Sequence, residues 1–322
     1  MRIGIVGAGM AGLACAQVLG SQGYEVRLFD KGRGPGGRMA TRRVSTPAGE
    51  VSFDHGAQYF SARDERFVEI VRAWHRRGLV APWPEADPEA WVGVPAMNAV
   101  IKDMARHHEI ALGQMVKALE RRDDGWHLML DGLTAGPFDV AIVAIPAEQA
   151  AALISLHDFE MGCVALRARS SPCWTGLFAF DEPLSTTREI LRNRGIIAWA
   201  ARNSAKPGRE GPESWVVQAQ PSWTQAHCED DPAHVTDQLH DALGKELGAA
   251  LPPPIIATAH RWRFAMSNGS GDQVLWNPDL RLAACGDWLV GPRVESAWLS
   301  GHELGQRIVH TAESQTMQQS LA

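Results

Sequence analysis

The sequence predicts an α/β protein in which a parallel-sheet nucleotide-binding domain is interrupted by a second domain built on a mixed or antiparallel β-sheet. Three observations predict it. A glycine-spaced turn stands between an apolar run and a helical segment within residues 2–20, a fully apolar strand-like run recurs at 138–145, and the region 151–258 changes to alternating strands before a strand and a Gly-Asp pair return at 280–287. With 322 residues there is room for one large or two medium domains, and 45% hydrophobic with 21% charged residues is ordinary for a globular chain.

Arg2 to Val6 reads as a short buried strand, and Gly7-Ala8-Gly9-Met10-Ala11-Gly12 opens a helix over Leu13 to Gly20. This is GxGxxG in strand–turn–helix context, the signature of a Rossmann-type domain. Gly7 permits the tight turn, Gly9 lets the backbone approach a pyrophosphate, and Gly12 lets the helix press on the strand. Met10 and Ala11 lie in the first turn, where free N–H groups and a positive dipole end favour phosphate. Gly23 closes the helix, Glu25 to Phe29 forms the next strand, and Asp30 at its end, 18 residues after Gly12, is placed to accept from a ribose diol. An adenine dinucleotide is the expected ligand. Asp30 repels the 2′-phosphate of NADP while Lys31 and Arg33 attract it, so these charges do not choose between NAD and NADP forms.

Lys31 to Arg43 holds four glycines and four arginines in thirteen residues. The chain as a whole is acidic, with net charge −6 and pI about 6.1, which argues against general nucleic-acid binding. Gly36-Gly37-Arg38 reads instead as a second clamp on the same pyrophosphate, two glycines for close approach and a guanidinium for a phosphate oxygen. No secretory pattern opens the chain and no apolar run reaches the roughly 18 residues of a membrane span, so a cytoplasmic protein without a membrane partner is expected. Five cysteines (15, 163, 173, 228 and 285) form no CxxC pair, and the twelve histidines include no HExxH. Inert thiols and no metal are expected.

Further along, Arg63 to Gly78 has helical spacing, 81–90 is a Pro- and acid-rich loop, and Trp91 to Asn98 leads into the helical AVIKDMARHH. Gln114 to Glu120 and Gly125 to Leu130 alternate as strands around a charged hairpin tip, Arg121 to Gly125. Phe138 to Ile145 is a strand buried on both faces, stopped by Pro146 and followed by a helix leading out of the domain. After the strand-rich region, with a helix opened by Asp230-Asp231-Pro232, Leu280 to Gly286 returns as a strand, Asp287 follows, and a terminal helix opens at Glu295. Glu313 to Ala322 reads as a polar, frayed tail. The expected domains are nucleotide-binding over 1–80, 101–150 and 271–322, and substrate-binding over 81–100 and 151–270. Eight of the twelve tryptophans follow residue 170, as an aromatic pocket or as core.

GAGMAGL, FDKGRGPGGRMATRR and the segment Phe53-Asp54-His55-Gly56-Ala57-Gln58-Tyr59-Phe60 resemble the motif series of the flavin amine oxidase superfamily, and more narrowly the renalase family, over nearly the whole chain. The resemblance implies a Rossmann-type FAD-binding domain with an inserted sheet, of p-hydroxybenzoate hydroxylase or amine oxidase-like topology, and a non-covalent FAD. It implies that Gly37, Arg38 and Met39 approach the diphosphate, that Gly56, Ala57, Gln58 and Tyr59 run beside the isoalloxazine, and that Val116 also lines the cofactor. Gly286 and Asp287 fall on the ribityl chain, and Glu295, Ser296 and Ala297 at the pyrimidine edge, where Ala297, Ser300 and Gly301 are small enough to pack on a flat ring. A simple NAD dehydrogenase needs neither the second clamp nor the returning Gly-Asp helix, so FAD is favoured over NAD.

Flavin oxidation requires mainly that a donor carbon be held against N5, so the lack of an acid–base dyad is no obstacle. Arg202, Lys206 and Arg209 suit the phosphate or ribose groups of a nucleotide substrate, although Lys206-Pro207-Gly208-Arg209 also reads as a solvated turn. Trp262 is either an aromatic wall or core. The resemblance adds His260 to the substrate contacts and Tyr59, Asn203 and Trp262 as catalytic groups. It implies oxidation of 2- and 6-dihydro isomers of NAD(P)H to β-NAD(P)⁺, with O₂ as acceptor and H₂O₂ as product. One alternative is an amine oxidase, disfavoured because none of the five lysines (31, 102, 117, 206 and 245) stands in an obvious flavin-facing strand. The other is a non-catalytic flavin-fold binding protein resembling the prenylation escort proteins, against which the intact Gly7, Gly9, Gly12, Asp30, Arg38 and Asp287 argue.

Overall fold

The computed structural model describes residues 1–46, 49–248 and 250–320, the last five by backbone alone. The chain divides into two compact units: residues 1–37, 101–170 and 267–322 form the first, and 38–100 with 171–266 the second. Among the described residues no helix is long and apolar enough to cross a membrane.

The first unit is built on a six-stranded sheet in the spatial order 275–277, 282–284, 140–143, 2–6, 25–30, 109–112. All neighbours are parallel except the edge strand Leu275–Asn277, antiparallel to Leu282–Ala284. Ile3 and Ile5 of the central strand and Ala141 and Ile142 beside it have no exposed surface. Burial on both faces is why these strands read as continuous apolar runs. A three-stranded antiparallel sheet (118–122, 125–129, 134–138) shares the core with them, Phe29 meeting Phe138 edge-on at 5.9 Å.

The expected strand Phe138–Ile145 is two strands. Phe138 ends the antiparallel Thr134–Phe138, and Val140–Val143 takes the parallel place. Between them Asp139 accepts from the Arg2 amide at 2.7 Å, a partner 137 residues away that no local pattern announces. The terminal helix also differs from expectation. It runs Val294–Ser320, through most of the segment read as frayed, because Trp298, Leu304 and Ile308 bury its first turns and its end is rich in helix formers. It packs on the first helix, Met10–Ser21, so closely that a Cβ on Gly301 would lie 2.0 Å from the Ala11 carbonyl oxygen.

The second unit is a five-stranded sheet in the order 190–194, 197–202, 213–219, 170–180, 256–267. Helix Pro232–Leu247, capped by the Asp231 carboxylate with proline in its first turn, buries Val235, Leu239 and Leu243 against Trp174, Phe178 and Trp215. A hairpin, Thr41–Thr46 with Gly49–Asp54, buries Val51 and Phe53 against Leu177, Ala179 and Val216. That packing places residues 38–80 in the second unit, where the sequence assigns 1–80 to the first. Conversely, Met161 and Ala165 of helix Phe159–Arg167 join the core of the first unit, which extends it to Ser170 rather than 150.

Candidate functional site

In the first unit the three glycines of the opening motif do three different things. Gly7 has φ +107, and a Cβ there would come within 2.4 Å of the Ala144 carbonyl oxygen. At Gly12 a Cβ would sit 2.1 Å from the Gly7 oxygen, so the helix can start only because that side chain is missing. Gly9, the helix N-cap, faces open space: nothing lies within 4 Å of its Cβ position. Above it, the first turn at Met10, Ala11 and Gly12 presents amides that no side chain caps. The second glycine pair is brought to the same place, since the Gly36 amide donates to the Ala8 carbonyl at 3.1 Å and a Gly37 Cβ would stand 3.7 Å from the Gly9 Cα. An open cradle of backbone donors fits an adenine dinucleotide.

Asp30 lies against this turn. Its carboxylate accepts from the Ala8 and Gly32 amides, both at 2.7 Å, so it ties the turn to the second strand while keeping lone pairs for a ribose. Lys31 is exposed beside it. Gly286, Asp287, Glu295 and Ser296 also belong to this unit, and the last three are buried. A Cβ at Gly286 would meet the Trp288 ring at 2.6 Å. Ser300, expected to pack on a ring, instead accepts from the Gly286 amide at 2.9 Å and donates to the Gln273 carbonyl at 2.6 Å, and Gly301 is small for the sake of the helix pair. Ala297 is half-buried, and Val116 is a core residue packed with Phe29 and Leu119.

The second unit gathers polar side chains instead. Asp54, at the end of the hairpin, is 1% exposed. Its Oδ1 accepts from the Thr41 hydroxyl and the Met97 amide, both at 2.9 Å, while Oδ2 faces Lys206 Nζ at 3.4 Å and the Arg209 guanidinium in closer contact. Burial pushes this carboxyl up, but Lys206 and Arg209 outweigh it and hold it at about 2. Lys206 Nζ also donates to Gln58 Oε1 at 3.1 Å, and Gln58 Nε2 donates to the Asp54 and Gly56 carbonyls. Gly56 and Ala57 are clipped to Arg38, whose carbonyl accepts from the Ala57 amide at 2.8 Å and leaves no room for a Cβ at Gly56. Arg38 donates to the Ala265 carbonyl at 3.2 Å, and Met39 next to it is buried.

The Lys206–Arg209 turn therefore exposes Gly208 but keeps its two cationic side chains out of solvent. Both side chains are buried on Asp54, and Arg209 also donates to the Gly93 and Pro207 carbonyls. Arg202 pairs with Glu213 at 3.0 Å and donates to the Leu184 and Thr186 carbonyls. Asn203, 1% exposed, donates to the Ser52 carbonyl at 2.7 Å and so supports the hairpin strand. These four differ from the direct roles read from the sequence because each has a partner 11 to 155 residues away. The half-buried Tyr59, His260 and Trp262 stay available. His55, to which the sequence assigned no role, packs between the last two at 5.0 Å from each ring, and Trp262 Nε1 donates to its carbonyl at 2.8 Å. Burial, then His260 and Arg42, lower the His55 imidazole to about 4, and burial and Arg42 lower His260.

Three comparisons bear on this arrangement. The model of the NAD(P)-binding Rossmann-like domain matches residues 5–74. Mouse (Mus musculus) renalase is 25% identical over 304 residues, 84% of this chain and 86% of that one. The similarity to renalase thus runs through most of both chains. A zeta-carotene-forming phytoene desaturase from Myxococcus xanthus is 57% identical over 76 residues, 24% of this chain and 14% of the desaturase. Among solved structures, an Exiguobacterium sp. 255-15 protein assigned as a protoporphyrinogen oxidase has a TM-score of 0.73 at 13% identity, covering 95% of this chain and 98% of its own. A putrescine oxidase redesigned in its cofactor binding has a TM-score of 0.67 at 12% identity, covering 96% and 99%. These two show the fold.

Proposed function

We propose that the chain is an oxidase with non-covalent FAD that converts 2- and 6-dihydro isomers of NAD(P)H to β-NAD(P)⁺, with O₂ as electron acceptor and H₂O₂ as product. The observation that carries this reading is the similarity to renalase over 84% of the chain, far beyond the opening glycine turn. Bound FAD would supply the two-electron acceptor at N5 and the route of those electrons to O₂. The chain's own part is to bind and orient. Gly9, Gly37 and the first-turn amides would hold the diphosphate, Asp30 the adenosine ribose, and Asp287 with the start of the terminal helix the remainder of the cofactor. Tyr59, His260 and Trp262 would hold the substrate ring, and burial lowers the His55 and His260 imidazoles toward their uncharged forms, which would add no positive charge beside a ring that becomes cationic as hydride leaves.

Anaerobic mixing of the purified protein with 2- and 6-dihydroNAD, β-NADH and a panel of amines tests the proposal, read at the flavin band near ~450 nm, which bleaches as N5 accepts hydride. Bleaching by the isomers alone is expected. Bleaching by amines alone would make the chain an amine oxidase, and no bleaching by either isomer overturns the proposal. Acid precipitation checks the cofactor: a yellow supernatant that co-elutes with FAD is expected, and colour retained in the pellet would mean covalent attachment.

A further inference from the structure

Lys206 carries a charge in the interior of the second unit, with 2% of its surface exposed. Its Nζ has three partners: the Asp54 carboxylate at 3.4 Å, Gln58 Oε1 at 3.1 Å and the face of Trp83, whose centroid lies 5.2 Å away. Two of them lead to the same residue. Gln58 immediately precedes Tyr59, and its Nε2, bonded to the Asp54 and Gly56 carbonyls, closes the turn from inside. Trp83 meets Trp199 edge-on at 6.4 Å, and Trp199 lies against the Tyr59 ring at 5.5 Å, with the Arg192 guanidinium 4.4 Å from the Trp199 centroid.

We propose that Lys206 is a positioning residue: by holding Gln58 on one side and Trp83 on the other, it fixes the ring of Tyr59. The catalytic consequence rests on the proposed oxidase reading, whereas the structural one does not. Gln58 Oε1 loses its donor if Lys206 is replaced, and its amide is then held from the Nε2 side alone. Trp83 loses the cation on its face, and the Trp83–Trp199–Tyr59 series loses its fixed end.

The charges around Lys206 give this device a pH signature. The groups that face it are the Asp54 carboxylate, the Arg209 guanidinium, and the neutral Gln58 and Trp83. One carboxylate thus serves two buried cations. Burial lowers the ammonium, Asp54 restores part of the loss, Arg209 opposes it, and the group comes to about 8. Above that pH the neutral amine loses its attraction to the carboxylate and the indole face.

The test is a titration of the purified full-length protein by near-UV circular dichroism and tryptophan fluorescence between roughly pH 6 and 9.5, below ordinary tyrosine ionisation. A one-proton transition near pH 8 is expected in the parent protein. Lys206→Met should abolish it, and Lys206→Arg should hold the low-pH signal throughout, because a guanidinium does not titrate there. If Lys206→Met does not fold, Gln58→Leu carries the test: the charged form loses an acceptor, so the transition must move to lower pH. In turnover, Lys206→Met should lower kcat about 10-fold or more with KM nearly unchanged, as expected for a misplaced ring. A transition that persists unmoved in Lys206→Met, or in Gln58→Leu, overturns the proposal, as does a parent protein with no transition near pH 8. The optical signal needs no substrate, so the role of Lys206 is tested even in a protein that oxidises no dihydronicotinamide.

Discussion

The two units carry their chemistry in different materials. In the first, the proposed cofactor cradle is backbone: Gly7, Gly9, Gly12 and Gly37 matter for the side chain they lack, and an uncapped helix would supply the donors. In the second, the organising centre is a buried side-chain cluster of Asp54, Lys206, Arg209 and Gln58. The difference teaches that a backbone site fails by addition and a charge cluster by subtraction. One extra methyl blocks the former, whereas one lost carboxylate leaves two cations without a counter-ion in the latter.

Substitutions can break this contrast. The largest effect is expected at Asp54: Asp54→Ala strands Lys206 and Arg209, and urea unfolding should show about 3–5 kcal/mol of lost stability. A parent-like midpoint would mean that the cluster does not hold the second unit together. Gly12→Ala is expected to cost on the order of 3 kcal/mol, since its Cβ would stand 2.1 Å from the Gly7 oxygen, and to yield colourless protein.

The acid limb sharpens the comparison further. Asp54 is held at about 2 against an ordinary 3.8, so its contribution is fully present above pH 3.8 and is lost as pH falls through about 2. That contribution is about 2 kcal/mol, seen as a shallower stability–pH slope in Asp54→Asn than in the parent. The smallest stability effect is expected at Gly9. With φ −86 and open space at its Cβ, Gly9→Ala should cost under about 1 kcal/mol while weakening flavin retention at least ~10-fold, measured by equilibrium dialysis. Equal loss of stability at Gly9 and Gly12 would contradict the division of labour among the glycines.

The same contrast explains what could be read from the sequence. The parallel sheet, the glycine turn and the returning Gly-Asp segment are local patterns, and the fold class follows from them. The partners of Lys206, Arg209 and Asn203 lie about 150 residues upstream in the hairpin strand and the turn after it, so a Lys-Pro-Gly-Arg stretch looks like a solvated turn until folding supplies Asp54. Asp54 itself stands in the Phe53–Phe60 segment, and an acid ahead of a Gly-Ala pair in an apolar strand was the available signal. The split at Asp139 and the assignment of residues 38–80 escape for the same reason: the hydrogen bond to Arg2 and the packing of Phe53 on Leu177 have no trace in local periodicity.

The close seat of Gly301 on Ala11 has a consequence in the order of synthesis. The glycine turn is made well ahead of its scaffold: its sheet waits for residues 140–143 and 282–284, and its helix waits for Gly301 and Gly305. A nascent chain carries the complete glycine motif for most of its translation without the scaffold that shapes it. A polypeptide released short of Gly301 would possess every residue of the motif without the helix that packs on it, and under the proposed reading it is expected to retain no flavin.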